Sequence, residues 1–296
     1  MFKSARSKGL FYGSLTAIFF SIYPLISKYV YITYNPDPLH YTATMLVAAG
    51  AFGLFATVFT AKPKIIPRSW LAKALAAGVL AGVAIGILVF GQNYTSAINA
   101  GIITPASVLF TIIFAALLLK QKFPKADYIW GFTLFLGIYL AVAGLRGIHF
   151  NNGDLLILLS ATMLGLLNVI AKLIMLDGKS NFVADVRVVS GGLIAALIGL
   201  IVSGNFVVTN AGAWPILAGL TLWLAVRSFY AAVHYIGPTS GIITATAYPV
   251  FTTIGAYFWL GEAYSWSKFI GSAIIIGSII LLNIQRPKKS PQFTKR

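Results

Sequence analysis

The 296-residue chain contains no cysteine, three histidines and only six acidic residues. Without thiols there can be no disulfide, thiolate metal site or cysteine nucleophile. Three histidines and six acids also leave little for a metal triad or a buried acid pair, so no metal, no cofactor and no enzymatic activity are expected. Charged residues make up 9% of the chain, against about 25% in soluble domains. Apolar residues reach 58%, and mean hydropathy is +0.87. So few charges cannot cover a surface facing water. The solvent must be largely lipid, and the expected fold is an all-α polytopic membrane protein.

Ten apolar stretches are predicted to cross the bilayer, near 10–30, 39–60, 70–90, 96–119, 127–146, 153–175, 182–203, 213–234, 238–260 and 266–284. Each is about 20 residues, enough to cross about 30 Å of hydrocarbon. The first follows a basic start (Lys3, Arg6, Lys8) but is too long for a signal-peptide core. Turn clusters at Asn35-Pro36-Asp37-Pro38, Lys62-Pro63-Lys64, Phe123-Pro124-Lys125 and Asn151-Asn152-Gly153-Asp154 separate the spans, and Gly237-Pro238 is a tight turn between the eighth and ninth.

A formal charge of +16 could suggest a nucleic-acid partner, but the basic residues are scattered over loops and tails. Eighteen of them fall on one membrane side and three (Lys28, Arg146, Lys268) on the other, with Arg227 left in mid-span. The positive-inside rule then places both termini in the cytoplasm of an inner or plasma membrane. The expected partners are the bilayer and a small-molecule substrate, with no nucleic acid, for a monomer or homodimer.

Shifting the chain on itself by 140 residues lays Gly101-Ile102-Ile103-Thr104 on Gly241-Ile242-Ile243-Thr244, and Gly13, Gly131 and Gly137 on Gly153, Gly271 and Gly277. Five spans per repeat is an odd number, so the halves, 1–147 and 148–296, would enter the membrane in opposite senses. Inverted repeats of this kind mark transporters. The chain resembles the drug/metabolite transporter (DMT) superfamily, in its ten-helix EamA-like branch. The resemblance rests on Gly101-Ile-Ile-Thr-Pro105 running into Phe114 to Lys122, and on Gly241 through Tyr248-Pro249 to Trp259-Leu-Gly-Glu262. The family usually carries an acid where Lys122 sits, and Glu262 keeps one in the second half. The resemblance implies two five-helix repeats around a central cavity, alternating access, and frequent export of amino acids or related metabolites.

Ionisable and polar residues in mid-span are functional candidates by default. All six acids lie near span ends, which argues against an organic-cation exporter, the alternative substrate class for this fold, and for a carboxylate-bearing solute such as an amino acid. Arg227 lies near mid-membrane, and its guanidinium fork suits a carboxylate. The competing reading of Arg227 is structural, with the side chain bonded to helix carbonyls. Trp223, Arg227 and Tyr230 share one helical face. Tyr248, Asn168, Tyr23, Asn93 and Thr104 complete the expected substrate site, with Thr104-Pro105 and Tyr248-Pro249 as bending points. The gate candidates are Lys28, Glu262, Lys172, Asp185 and His234. Lys28 could meet Asp37 or Glu262 outside, and Lys172 could meet Asp177 or Asp185 inside. Arg187 is placed at an inner span end, and Tyr41 and Tyr94 are expected to be interfacial anchors. Gly78, Gly82 and Gly86 form a small-residue face suited to close helix approach.

Overall fold

The structure, a computed structural model, describes residues 5–60, 68–143, 151–174, 180–204, 209–245 and 247–284. In chain order the helices are α1 (Ala5–Tyr34), α2 (Pro38–Thr60), α3 (Arg68–Gln92), α4 (Ala97–Ile103), α5 (Ala106–Leu119) and α6 (Lys125–Ala143). They continue as α7 (Asn152–Ile174), α8 (Ser180–Ser203), α9 (Trp214–Ala245), α10 (Tyr248–Leu260) and α11 (Trp266–Ile284). Seven spans among the described residues are long and apolar enough to cross a membrane, α4 and α5 together forming one of them. Large apolar side chains remain exposed on the outer faces, including Phe258 at 80%, Ile201 at 73% and Phe59 at 71%. In water such a surface would aggregate, whereas here lipid covers it. The protein is a multi-pass membrane protein.

Local chemistry explains the breaks. Ser96 caps α4 by accepting from the Asn99 amide at 2.9 Å. Pro105 then ends the helix, since it has no N–H to donate and its ring crowds Thr104. The α9–α10 break falls just before Tyr248-Pro249. Helix α9 runs on past Gly237-Pro238, yet it is not straight. A β carbon on Gly241 would lie 3.2 Å from the Val233 backbone nitrogen, although residues eight apart in a straight helix rise about 12 Å. The chain therefore doubles back within α9, around the turn expected at Gly237-Pro238.

Helix α1 runs along α9 and α10, α2 along α8 and α9, α3 against α7 and α8, α5 against α7, and α6 along α11. Close approach depends on glycine at two seams. A β carbon on Gly82 would sit 2.5 Å from the Gly191 α carbon, and one on Gly78 3.0 Å from the α carbon of Arg187. The small face of α3 thus seats α8 backbone to backbone. At the second seam, Gly271 of α11 meets the Gly137 carbonyl of α6 at 2.5 Å on the same measure. One correction concerns Tyr41, expected at the interface. It is fully buried, with its hydroxyl donating to Ser27 Oγ at 3.1 Å, because α1 and α2 close over it.

The α3–α8 seam can be tested with one added methyl group. Gly82→Ala should cost about 1–3 kcal/mol, since neither backbone can give way, and should lower the melting temperature of the purified protein. Gly277→Ala, where a β carbon would meet nothing within 4 Å, should leave it within experimental scatter.

Candidate functional site

Helices α1, α3, α4, α5, α7, α8, α9 and α10 line a partly open cavity of about 110 Å³, below the roughly 300–1,000 Å³ of drug-sized ligand sites and suited to a small solute. Phe20, Tyr23 and Pro24 line it from α1, Gln92 from α3, Asn168 from α7, Arg187 from α8, Phe229 from α9, and Tyr248 and Thr252 from α10. Thr104 lines it at the α4–α5 break, where its hydroxyl returns to the Ala100 carbonyl at 2.7 Å. Phe20 stands edge to face with both Tyr23 and Tyr248, with centroids 6.3 Å away in each case.

Arg187 is the cavity's cation. It is 8% exposed, and its guanidinium carbon lies 5.8 Å from the Tyr230 ring centroid. Among the described residues no carboxylate lies within ion-pair distance of it, and the lining contains no acid. Gln92 is fully buried, and neither of its amide atoms has a hydrogen-bond partner. Asn168 reaches Thr111 Oγ1 at 3.2 Å. A guanidinium walled by apolar and aromatic groups, with no anion beside it, is built to accept one.

Of the expected substrate residues, Tyr23, Thr104, Asn168 and Tyr248 line the cavity, while Arg227, Trp223, Tyr230 and Asn93 do not. Arg227 instead faces Asp185, with Nε 3.6 Å from Oδ1, and lies 5.3 Å from the Trp223 ring centroid. Trp223 Nε1 donates to the same carboxylate oxygen at 2.9 Å. Helical phase sorts these groups. Asp185 and Arg187 are two residues apart, about 200° around α8, so one meets α9 while the other faces the cavity. The Tyr230 ring backs Arg187 from outside the lining. Sequence reasoning set Arg187 aside as an inner-end residue. The available signal was the pair Asp185-x-Arg187, the only charges in an otherwise apolar span.

At the predicted outer end, Glu262 accepts from the Ala97 and Ile98 amides at 2.7 and 2.9 Å. This carboxylate ties the loop after α10 to the start of α4. Lys28 donates to the Gln92 carbonyl at 3.2 Å rather than to an acid. Asp154 accepts from Thr95 at 2.5 Å and from the Asn99 side chain at 3.3 Å. The caps also shift the repeat register. Lys120 and Gly261 end α5 and α10 in the left-handed conformation, with amides returning to Ala115 and Ala256. Gln121, not Lys122, therefore answers Glu262. His234 is exposed beside Tyr235, with ring centroids 5.1 Å apart. The Lys172 side chain and all of Asp177 lie outside the described residues.

The family model of the EamA-like transporter family matches residues 7–143 and again 151–284. An uncharacterized transporter of Clostridium kluyveri is 27% identical, over 97% of this chain and 96% of its own length. The riboflavin transporter ImpX of Fusobacterium nucleatum is 26% identical, over 71% of this chain and 74% of its own. The uncharacterized transporter YyaM of Bacillus subtilis is 25% identical, over 79% and 82% respectively. A solved crystal structure aligns with 92% of this chain and 99% of its own at a TM-score of 0.61 and 17% identity, a likeness of fold alone. A cavity among apolar, membrane-length helices and one family model matching both halves of the chain lead to the same conclusion: the chain belongs to the EamA-like transporter family and acts in transport across the cell membrane.

Proposed function

We propose that the protein carries a small carboxylate-bearing metabolite, an amino acid or a similar solute, by alternating access, with Arg187 holding the carboxylate. The observation behind this reading is a buried arginine on the cavity wall with no carboxylate beside it among the described residues. Leaving such a charge unpaired in lipid is costly, so occupancy by an anion is favoured. Phe20, Tyr23, Phe229 and Tyr248 would surround the rest of the solute. An organic cation, the alternative from composition, would meet like charge and no acid among the described lining residues. A planar heteroaromatic solute is a second reading, favoured by that aromatic lining and by the similarity to a riboflavin transporter.

Ten spans in two inverted halves, 1–147 and 148–296 with both termini inside, remain our reading of the architecture. Two family matches in tandem support it. So do the helix contacts, which map onto themselves when the halves are exchanged: α1–α9 answers α3–α7, α2–α9 answers α3–α8, and α1–α10 answers α5–α7. On this reading Glu262 and Lys28 act as an outer gate. Glu262 joins the second half to α4, and Lys28 ties α1 to the end of α3 within the first half.

Two experiments test the proposal. The purified protein should be stabilised by at least one of L-phenylalanine, L-glutamate and L-malate, by about 2.7 kcal/mol at 100 times Kd. Arg187→Gln should abolish that stabilisation, weakening binding about 30-fold or more, since a charge-paired contact is worth about 2–5 kcal/mol. Arg227→Gln should lower the melting temperature, because it strands Asp185, yet keep the ligand response. Stabilisation by tetraphenylphosphonium alone would overturn the assignment, and a riboflavin response that survives Arg187→Gln would favour the second reading. For the gate, the absence of native cysteine permits a clean probe. Ser96→Cys should react about tenfold faster with an external impermeant maleimide when Glu262→Ala removes both acceptors.

A further inference from the structure

Beside the cavity, Asp185, Arg227 and Trp223 form a charged cluster that substrate binding does not use. Asp185 is 2% exposed, yet its carboxylate is loosely held. A structural arginine–carboxylate bridge is usually bidentate, with two N–H···O bonds near 2.7–2.9 Å. Here the approach is 3.6 Å through Nε alone, and that Nε makes no hydrogen bond. Trp223 supports both partners, its indole N–H donating to Asp185 and its ring facing Arg227. A protonated Asp185 would keep the indole bond through its carbonyl oxygen, and Arg227 would keep the ring. Taking up a proton therefore breaks little.

Charge supplies the link to the cavity. The described charged side chains of α8 and α9 are Arg187, Arg227 and Asp185, one positive charge in excess. An anion at Arg187 balances that excess and adds negative charge across α8 from Asp185, whose side chain leaves the helix about 200° away. In a low dielectric, like charges about 10 Å apart across a helix still repel, which favours protonation of the carboxylate. By reciprocity, protonation of Asp185 must favour the anion equally. Among the described residues, the other helices against α8 offer no competing charge: α2 presents Phe52 and Gly53, α3 presents Gly78 and Gly82, and Arg68 and Lys73 are exposed.

We propose that Asp185 is a proton-coupling site, taking one proton from water as the anion binds at Arg187 and returning it to water as the anion leaves. Proton and solute then cross together, and each transfer is balanced by carboxylate becoming carboxylic acid and back, with Arg227 charged throughout. This inference rests on the carboxylate reading above. Coupling of this sign drives uptake where the outside is more acidic, rather than the export implied by the resemblance.

The test uses full-length protein in liposomes with labelled L-phenylalanine, L-glutamate and L-malate, the membrane potential being clamped. A one-unit pH gradient should drive up to tenfold accumulation of a transported probe in the alkaline lumen. Asp185→Asn should continue exchange without a gradient but lose accumulation, and Asp185→Glu should restore it. The double variant Asp185→Asn/Arg227→Gln, which strands no charge, should behave as Asp185→Asn does. Accumulation surviving in either Asn variant, or wild-type exchange indifferent to the gradient, overturns the coupling and leaves the carboxylate reading standing. If the wild-type protein exchanges none of the three probes, the carboxylate reading falls and the coupling with it.

Discussion

A guanidinium inside a membrane must be answered by something, and much of this structure can be understood as deciding what answers each one. Two arginines lie close together where α8 and α9 meet. Arg227 is answered within the protein, by a carboxylate and an indole. Arg187 is answered by one aromatic face and otherwise by open cavity. The asymmetry follows from there being one carboxylate for two cations. Had the acid stood one residue earlier on α8, at position 184, it would have pointed within about 60° of Arg187, and the site would have been self-neutralised.

That arrangement depends on backbone contact rather than on side-chain bulk. Gly78 and Gly82 let α8 approach α3 closely enough to set Arg187 at the cavity wall. In lipid there is no hydrophobic gain from bringing two helices together, so close fit and van der Waals contact must supply the association. The same logic explains why many hydroxyls on the helices are satisfied locally. Serine and threonine hydroxyls return to carbonyls one turn back, as in Ser27 to Tyr23 and Thr111 to Ser107. Against that background, the unpartnered amide of Gln92 and the unpaired charge of Arg187 stand out as features kept for something other than stability.

The membrane class and the helix limits were legible because they rest on local signals: length, apolar runs, proline and glycine. The turn at Gly237-Pro238 was readable even though α9 is one helix from Trp214 to Ala245. Four of the eight expected substrate residues line the cavity, and these are the ones whose position follows from depth alone: Tyr23, Thr104, Asn168 and Tyr248. Depth failed for the arginines. Arg227 was chosen because it is the deeper, but what separates it from Arg187 is rotation about the helix axis relative to a neighbour 40 residues away in sequence. No single-chain pattern encodes that rotation. The repeat offset misled by one residue at Glu262 for a related reason, since the left-handed caps at Lys120 and Gly261 set the structural register.

The two ends of the molecule use their acids differently. At one end, Glu262 and Asp154 are spent on backbone amides, a threonine hydroxyl and an asparagine. Deeper in, the single acid Asp185 is neither spent on the backbone nor given ideal geometry. A transporter needs contacts weak enough to be remade in each cycle, and a fully bonded ion pair in lipid would resist that. The loose Asp185–Arg227 approach and the cavity-facing Arg187 fit one requirement of the proposed coupling, that a proton taken up by Asp185 offset the solute's negative charge, so that the interior charge is the same whether the site is empty or loaded.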